Sequence, residues 1–257
     1  MGTALITGAA SGLGEEFCWQ LASAGHDLVL VARNERKLEE LADKLRTIAG
    51  VKAEVLVADL SDPEALAKVA DRLDATGEDG RSPIGLLINN AGFALGAPFP
   101  DNDLDAELNG LDVMVRAVMV LAHHAVRAMR ARGRGAILNT ASVASRTGAG
   151  TYSAHKAWVV AFTEGLSEEL RGTGVTATAV CPGPVRTPFF EKAGVDMSRT
   201  PDALYCTPEE VVTEALDAVR AGRVLVTPTP TYKAAMAAMK LAPRWVVRRA
   251  MRSVPHM

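Results

Sequence analysis

Seven short runs rich in aliphatic and β-branched residues, at 3–7, 28–32, 53–58, 84–89, 136–140, 175–181 and 224–227, alternate with stretches of mixed polarity long enough for a helix. The runs lack the apolar–polar alternation of a half-exposed strand, so each reads as buried on both faces, which is the environment of a parallel sheet covered by helices. Parallel neighbours require crossover connections, and the right-handed hand of those crossovers stacks helices on both sides of the sheet. The expected fold class is therefore α/β, a doubly wound parallel sheet of about seven strands. In such a sheet ligands sit beyond the carboxyl ends of the strands, so the chemistry should lie just after each run.

With 257 residues, 48% apolar and 23% charged, the chain can bury one large core, and no linker, repeat or low-complexity tract divides it. Residues 1–228 are read as a single domain and 229–257 as a basic C-terminal helical extension packed on it. Cys18, Cys181 and Cys206 are odd in number and lie in no metal-ligand spacing, which points to a reducing compartment and to no bound metal. Neither a leader pattern nor a run of about 18 apolar residues is present, so a cytoplasmic placement is expected.

The first run leads into Thr7-Gly8-Ala9-Ala10-Ser11-Gly12-Leu13-Gly14 and then a helical stretch over 15–24. Glycines let the backbone turn tightly, approach a pyrophosphate and pack helix on strand, while a helix N-terminus offers free N–H groups and partial positive charge. In this strand-to-helix context the motif predicts a Rossmann-like dinucleotide site. An NAD-selective site places a carboxylate at the end of the second strand; here Ala32 and Arg33 stand there. A guanidinium can pair with a 2′-phosphate, so Arg33, helped by Lys37, favours NADP(H) over NAD(H). Asp59 and Leu60 follow the third run, and Asn90, Ala91 and Gly92 follow the fourth, offering polar groups and close backbone approach to the adenine and ribose.

Tyr152 and Lys156 are four residues apart in a segment predicted helical to about residue 170, so they share a helix face. A phenol with an ordinary pKa of about 10 exchanges protons poorly near neutrality; a neighbouring ammonium and an oxidised nicotinamide would both stabilise its anion. At the end of the fifth run Ser142, or the nearby Ser145, offers a hydroxyl that can donate to a carbonyl oxygen as charge develops on it.

These motifs, together with Pro182-Gly183-Pro184-Val185-Arg186-Thr187, stand in the order found in the short-chain dehydrogenase/reductase family, which the chain resembles from residue 3 to about 226. The resemblance implies a Rossmann fold and an NADP(H)-dependent oxidoreductase interconverting a carbonyl and an alcohol. It implies that Tyr152 is the proton donor or acceptor, that Ser142 binds the carbonyl, and that Lys156 holds the ribose and depresses the tyrosine pKa. It also implies that Pro182, Gly183, Val185 and Thr187 wall the nicotinamide and that the protein forms a homodimer or homotetramer. Two departures stand out. Met114 occupies the position of the family's asparagine that supports a proton-relay water, and a thioether cannot replace that hydrogen bonding. The ten-residue gap from Ser142 to Tyr152 is also short for the family, which should open or reshape the substrate side. Met114 motivates an alternative, an NADP(H)-binding sensor or scaffold with little turnover; an isomerase using nicotinamide transiently is a third reading.

Phe93, Leu95, Phe99, Phe189 and Phe190 follow strand ends and suggest an apolar small-molecule substrate; no nucleic-acid partner is expected. Asp101, Asp103, Asp105 and Asp112 read as acids opening a long helix rather than as a calcium loop, and His123 and His124 lack any partner ligand motif. From residue 218 onward eight Lys/Arg meet no Asp/Glu, so the net charge of −2 divides into −10 before that point and +8 after it. Residues 232–252 are expected as two helices broken at Pro243, serving as a lid or packing element or as a peripheral contact with an anionic membrane.

Overall fold

The computed structural model describes residues 2–250 except 79, 149, 193 and 196–199. Seven strands are present: β1 (Thr3–Thr7), β2 (Asp27–Ala32), β3 (Ala53–Val57), β4 (Ile84–Asn89), β5 (Gly135–Thr140), β6 (Val175–Val180) and β7 (Leu225–Val226). They form one sheet in the order β3-β2-β1-β4-β5-β6-β7, every neighbouring pair parallel. The strand order reverses between β1 and β4, which places the glycine motif beside that switch point. The seven runs predicted from sequence are these strands, with no end shifted by more than one residue; the last shrinks to two residues at the sheet edge.

The helices are α1 (Leu13–Ser23), α2 (Glu35–Ala49), α3 (Pro63–Leu73), α4 (Leu104–Leu111), α5 (Ala117–Ala131), α6 (Gly150–Glu169), α7 (Phe189–Lys192), α8 (Pro208–Arg220), α9 (Pro230–Leu241) and α10 (Arg244–Ala250). Period-two alternation within the strands divides the core between the two faces. Ile6, Leu28, Leu30, Ile88 and Leu138 pack against Phe17, Leu38 and Val211 of α1, α2 and α8. Leu5, Val29, Val31, Leu87 and Ile137 pack against Leu66, Val69 and Leu121 of α3 and α5, with Phe162 and Leu166 of α6 beside them.

Asp103 caps α4 by accepting from the Asp105 N–H at 3.3 Å, in keeping with acids that open a helix. The long helix expected there runs as α4, a π-helical turn over Asp112–Arg116, and α5. Met114 lies inside the π turn, fully buried. The C-terminal extension folds as α9 and α10, separated at Ala242 and Pro243, with Tyr232 and Met236 packed on the domain.

Candidate active site

The glycine loop is shaped by contacts that exclude side chains. Gly8 has φ +69, and a Cβ there would lie 3.0 Å from Ala91 Cα; Gly14 tolerates none, because its Cβ would fall 2.0 Å from the Gly8 carbonyl oxygen. Gly12 caps α1 with φ 58 and no side-chain hydrogen bond, whereas Asn34, Asp62, Asp103 and Thr207 cap α2, α3, α4 and α8 with their side chains. The first-turn N–H groups of α1 are thus left to an outside acceptor, and a cradle bare of Cβ atoms lets a pyrophosphate reach them. The residues present fit a dinucleotide. Ser11 and Leu13, both half-buried, lie in the same loop.

Thr7 ties this loop to the end of β4: its hydroxyl accepts from Asn90 N at 2.9 Å and Ala91 N at 3.0 Å and donates to the Ile88 carbonyl, while Asn90 Nδ2 donates to the Thr7 carbonyl at 3.1 Å. Thr187 closes the other side, its methyl 3.2 Å from where a Gly12 Cβ would stand. At the adenosine end, the exposed Arg33 guanidinium stands 3.7 Å from Asp59 Oδ2. Burial alone would raise the Asp59 pKa, but the Ser61 N–H and hydroxyl, at 3.0 and 2.7 Å, and the Arg33 charge hold it below the ordinary carboxylate value. Lys37 is exposed on the first turn of α2, and Leu60 turns its side chain into the core, which leaves its main chain for any nucleotide contact.

Tyr152 and Lys156 emerge from the same face of α6 and are both buried, with Lys156 Nζ 5.7 Å from the phenol ring centroid. The ammonium donates to the Thr140 carbonyl at 2.8 Å, and burial pushes its pKa down to about 8. Ser142 shares a hydrogen bond with the phenol, and its hydroxyl also accepts from Ala144 N at 3.1 Å. Ser145 is buried in the following turn and its hydroxyl has no partner among the described residues, so of the two serines it is Ser142 that meets Tyr152.

The expected depression of the tyrosine pKa by Lys156 is corrected in one respect. In the protein alone burial raises the Tyr152 pKa, and the Ser142 hydrogen bond is what opposes that rise. At 5.7 Å from the ring the ammonium does not overcome the lost hydration of a phenolate. The remaining stabilisation has to come from whatever charge binds above the pair.

Met114 packs beside this pair. A point one bond above Gly92 Cα lies 3.4 Å from Met114 Cγ, 3.5 Å from its Sδ and 3.5 Å from Lys156 Nζ, so thioether and ammonium converge there. Phe189 meets the Tyr152 ring edge-on at 5.9 Å and Phe190 at 5.2 Å, giving the site an apolar flank. Phe99, by contrast, is 58% exposed in a short turn over Phe99–Asp101. His124 pairs with Asp74 at 2.8 Å, and among the described residues no cluster of three His, Cys, Asp or Glu could hold a metal.

Several contacts at this site escaped the sequence reading. Asn89 Nδ2 donates to Asn139 Oδ1 and Asn139 Nδ2 to Thr163 Oγ1, each at 2.9 Å, a buried chain from β4 through β5 to α6. Glu107 accepts from Asn102 at 2.8 Å and from Thr151 at 2.6 Å, anchoring α4 to the start of α6. Tyr232 lays its ring on Gly183 from a position 49 residues away, and no local pattern announces that contact. Only the adjacency of polar residues at register-paired strand ends, Asn89 opposite Asn139, could have been read beforehand.

Comparison with known proteins agrees with this geometry. The sequence model of the short chain dehydrogenase family matches residues 2–197. Sulfoacetaldehyde reductase 2 of Chromohalobacter salexigens is 38% identical over 208 residues, covering 78% of this chain and 79% of its own. A putative ketoacyl reductase of the monensin polyketide synthase from Streptomyces virginiae is 36% identical over 235 residues, 81% of this chain and 86% of its own. Among solved structures, a short-chain dehydrogenase from Sphingobium yanoikuyae in complex with NADPH superposes with a TM-score of 0.85 at 35% identity, covering 93% and 92% of the two chains. With seven parallel strands in the doubly wound order and a family match over most of its length, the chain belongs to the short-chain dehydrogenase family and is an oxidoreductase of the carbonyl–alcohol type.

Proposed function

We propose that the protein is an NADP(H)-dependent carbonyl reductase acting reversibly on an apolar ketone or aldehyde. The observation that carries this reading is the convergence of Ser142, Tyr152 and Lys156 at the strand ends beside the side-chain-free cradle of Gly8, Gly12 and Gly14. NADPH bound in that cradle supplies the hydride. The free N–H groups of α1 would hold its pyrophosphate, Arg33 its 2′-phosphate, and Asp59, Leu60, Asn90, Ala91 and Gly92 its adenosine, while Pro182, Gly183, Val185 and Thr187 would wall its nicotinamide. Lys156, with Nζ already directed by Thr140, holds the ribose beside Tyr152.

Ser142 donates to the substrate oxygen and orients it, and Tyr152 passes its phenolic proton to that oxygen as it becomes an alkoxide. Burial raises the phenol pKa, which suits Tyr152 to keep its proton until charge develops on the substrate oxygen, the role reduction requires. Phe189, edge-on to the tyrosine, supports an apolar substrate.

The test is NADPH and NADH consumption over a panel of ketones and aldehydes, with Tyr152→Phe as control. Turnover with NADPH that Tyr152→Phe abolishes, while nucleotide binding persists, is expected; activity surviving in that variant refutes the mechanism. Met114 packed beside Lys156 favours the sensor or scaffold as a second reading. Tight nucleotide binding without turnover on any carbonyl would establish it.

Leu104, Leu108 and Leu111 of α4 and Met119 of α5 are exposed by 63, 47, 41 and 47%, an apolar surface that supports a homo-oligomer, to be checked by light scattering. Leu241 and Trp245, 87 and 63% exposed within the acid-free C-terminal segment, support peripheral contact with anionic lipid. Sedimentation with anionic vesicles, full-length against a chain lacking 242–257, tests it; protein left in the supernatant rejects it.

A further inference from the structure

The family match ends at residue 197, yet the chain beyond it reaches into the site. Among the described residues Thr229 is the one non-glycine with a left-handed φ, 66 with ψ 141, a conformation that persists only where its surroundings enforce it. Glu214 of α8 enforces it: one carboxylate oxygen accepts from the Thr229 N–H at 3.1 Å and the other from Lys233 Nζ at 2.7 Å. With Pro230 opening α9 directly after this kink, Tyr232 is carried over the turn that follows β6.

There the ring occupies the only direction a side chain at 183 could take. A Cβ on Gly183 would lie 2.2 Å from Tyr232 Cε2 and 2.5 Å from both Cδ2 and Cζ, and these are its three nearest atoms. The phenolic hydroxyl reaches on to donate to the Leu204 carbonyl at 2.8 Å. Gly183 borders the reaction site, and the segment of Leu204 is tied to the same turn. Pro182, beside Gly183, accepts from Val143 N at 3.0 Å, next to Ser142, and the strand bridge of Val185 with Cys206 links the same turn to the segment after Leu204.

We propose that Tyr232 is a positioning residue: its ring sets the backbone of the Pro182–Val185 turn from behind, and its hydroxyl tethers that turn to the segment ending at Leu204, so that the C-terminal helix fixes the nicotinamide wall and the substrate entrance. The inference rests on the reading of that turn as the nicotinamide wall. It explains why Gly183 carries no side chain although its φ is not left-handed: the space behind it is filled by an aromatic ring from α9.

The test is a double-mutant cycle in the full chain with Gly183→Ala, Tyr232→Ala and the combination, read first as NADPH affinity by fluorescence titration and then as kcat and KM for the best carbonyl of the panel. Gly183→Ala is expected to weaken NADPH binding at least fivefold by driving the turn off the ring. Tyr232→Ala should weaken it less, and the double variant should match Tyr232→Ala because the collision is gone. Losses that multiply in the double variant would overturn the proposal.

Tyr232→Phe, which keeps the ring and the fold, separates the tether from the wedge: NADPH affinity within twofold of the parent and KM for the carbonyl raised threefold or more are expected. Unchanged KM would remove the tether from the proposal. If the parent binds NADPH but reduces no carbonyl, the reductase reading fails, while the affinity cycle still decides the role of Tyr232.

Discussion

Lys156 stands where function and stability oppose each other, and replacing it with methionine should expose the conflict. Its ammonium is buried, accepted by one carbonyl, and its pKa falls from 10.5 to about 8. Between those values the unfolded chain holds more protons than the folded one, so folding stability rises with pH across that window. At pH 7 the shift corresponds to a penalty of about 3 kcal/mol, and at pH 9.5 to about 1.5 kcal/mol. Lys156→Met removes the penalty and strands the Thr140 carbonyl, a loss of about 2 kcal/mol.

The variant without nucleotide should therefore be more stable than the parent by about 1 kcal/mol at pH 7, or about 2–4 °C in Tm, and slightly less stable at pH 9.5. The high-pH contributions of Cys18 and Tyr152, whose shifts do not arise from Lys156, cancel in the difference; those of Cys181 and His155, which feel the Lys156 charge, change with it and are smaller than the loss of the ammonium itself. Thermal unfolding of the two at both pH values is the assay, with loss of turnover as the accompanying change. A Tm difference that does not vary with pH would refute the idea that an unneutralised ammonium is buried at 156.

Arg33→Ala should weaken NADPH binding tenfold or more, about 1.4 kcal/mol, and leave NADH within twofold, because the guanidinium faces solvent with Asp59 at 3.7 Å; equal losses for both nucleotides would contradict its assignment to the 2′-phosphate. Gly14→Ala should abolish binding of both nucleotides in the same titration, since its Cβ would lie 2.0 Å from the Gly8 carbonyl oxygen and the loop would have to open. Ser142→Ala should lower kcat by about a hundredfold. In the oxidative direction it should also move the rise of activity to higher pH, because it deletes the hydrogen bond that lowers the phenol pKa; a pH–rate profile reads both effects.

The strand runs, the glycine loop and the helix face shared by Tyr152 and Lys156 were legible because each is encoded over a few adjacent residues. Burial on both faces writes an unbroken apolar run, the loop needs glycine at fixed spacing to keep Cβ atoms from Ala91 and Gly8, and one helical turn separates Tyr152 from Lys156. The choice of Ser142 over Ser145 was not legible. It depends on which hydroxyl the turn after β5 directs at Tyr152.

Nor could sequence weigh lysine against burial at the phenol, since desolvation is a property of everything packed around Tyr152, including Phe189 from another element. The chain's local order thus determined the sheet, the glycine loop and the pairing of Tyr152 with Lys156 on one helix face. Which hydroxyl faces which, how acidic the phenol is, and that Tyr232 backs Gly183 were decided by tertiary structure alone, because hydration and contact depend on distance in space, and residues 49 positions apart carry no shared pattern along the chain.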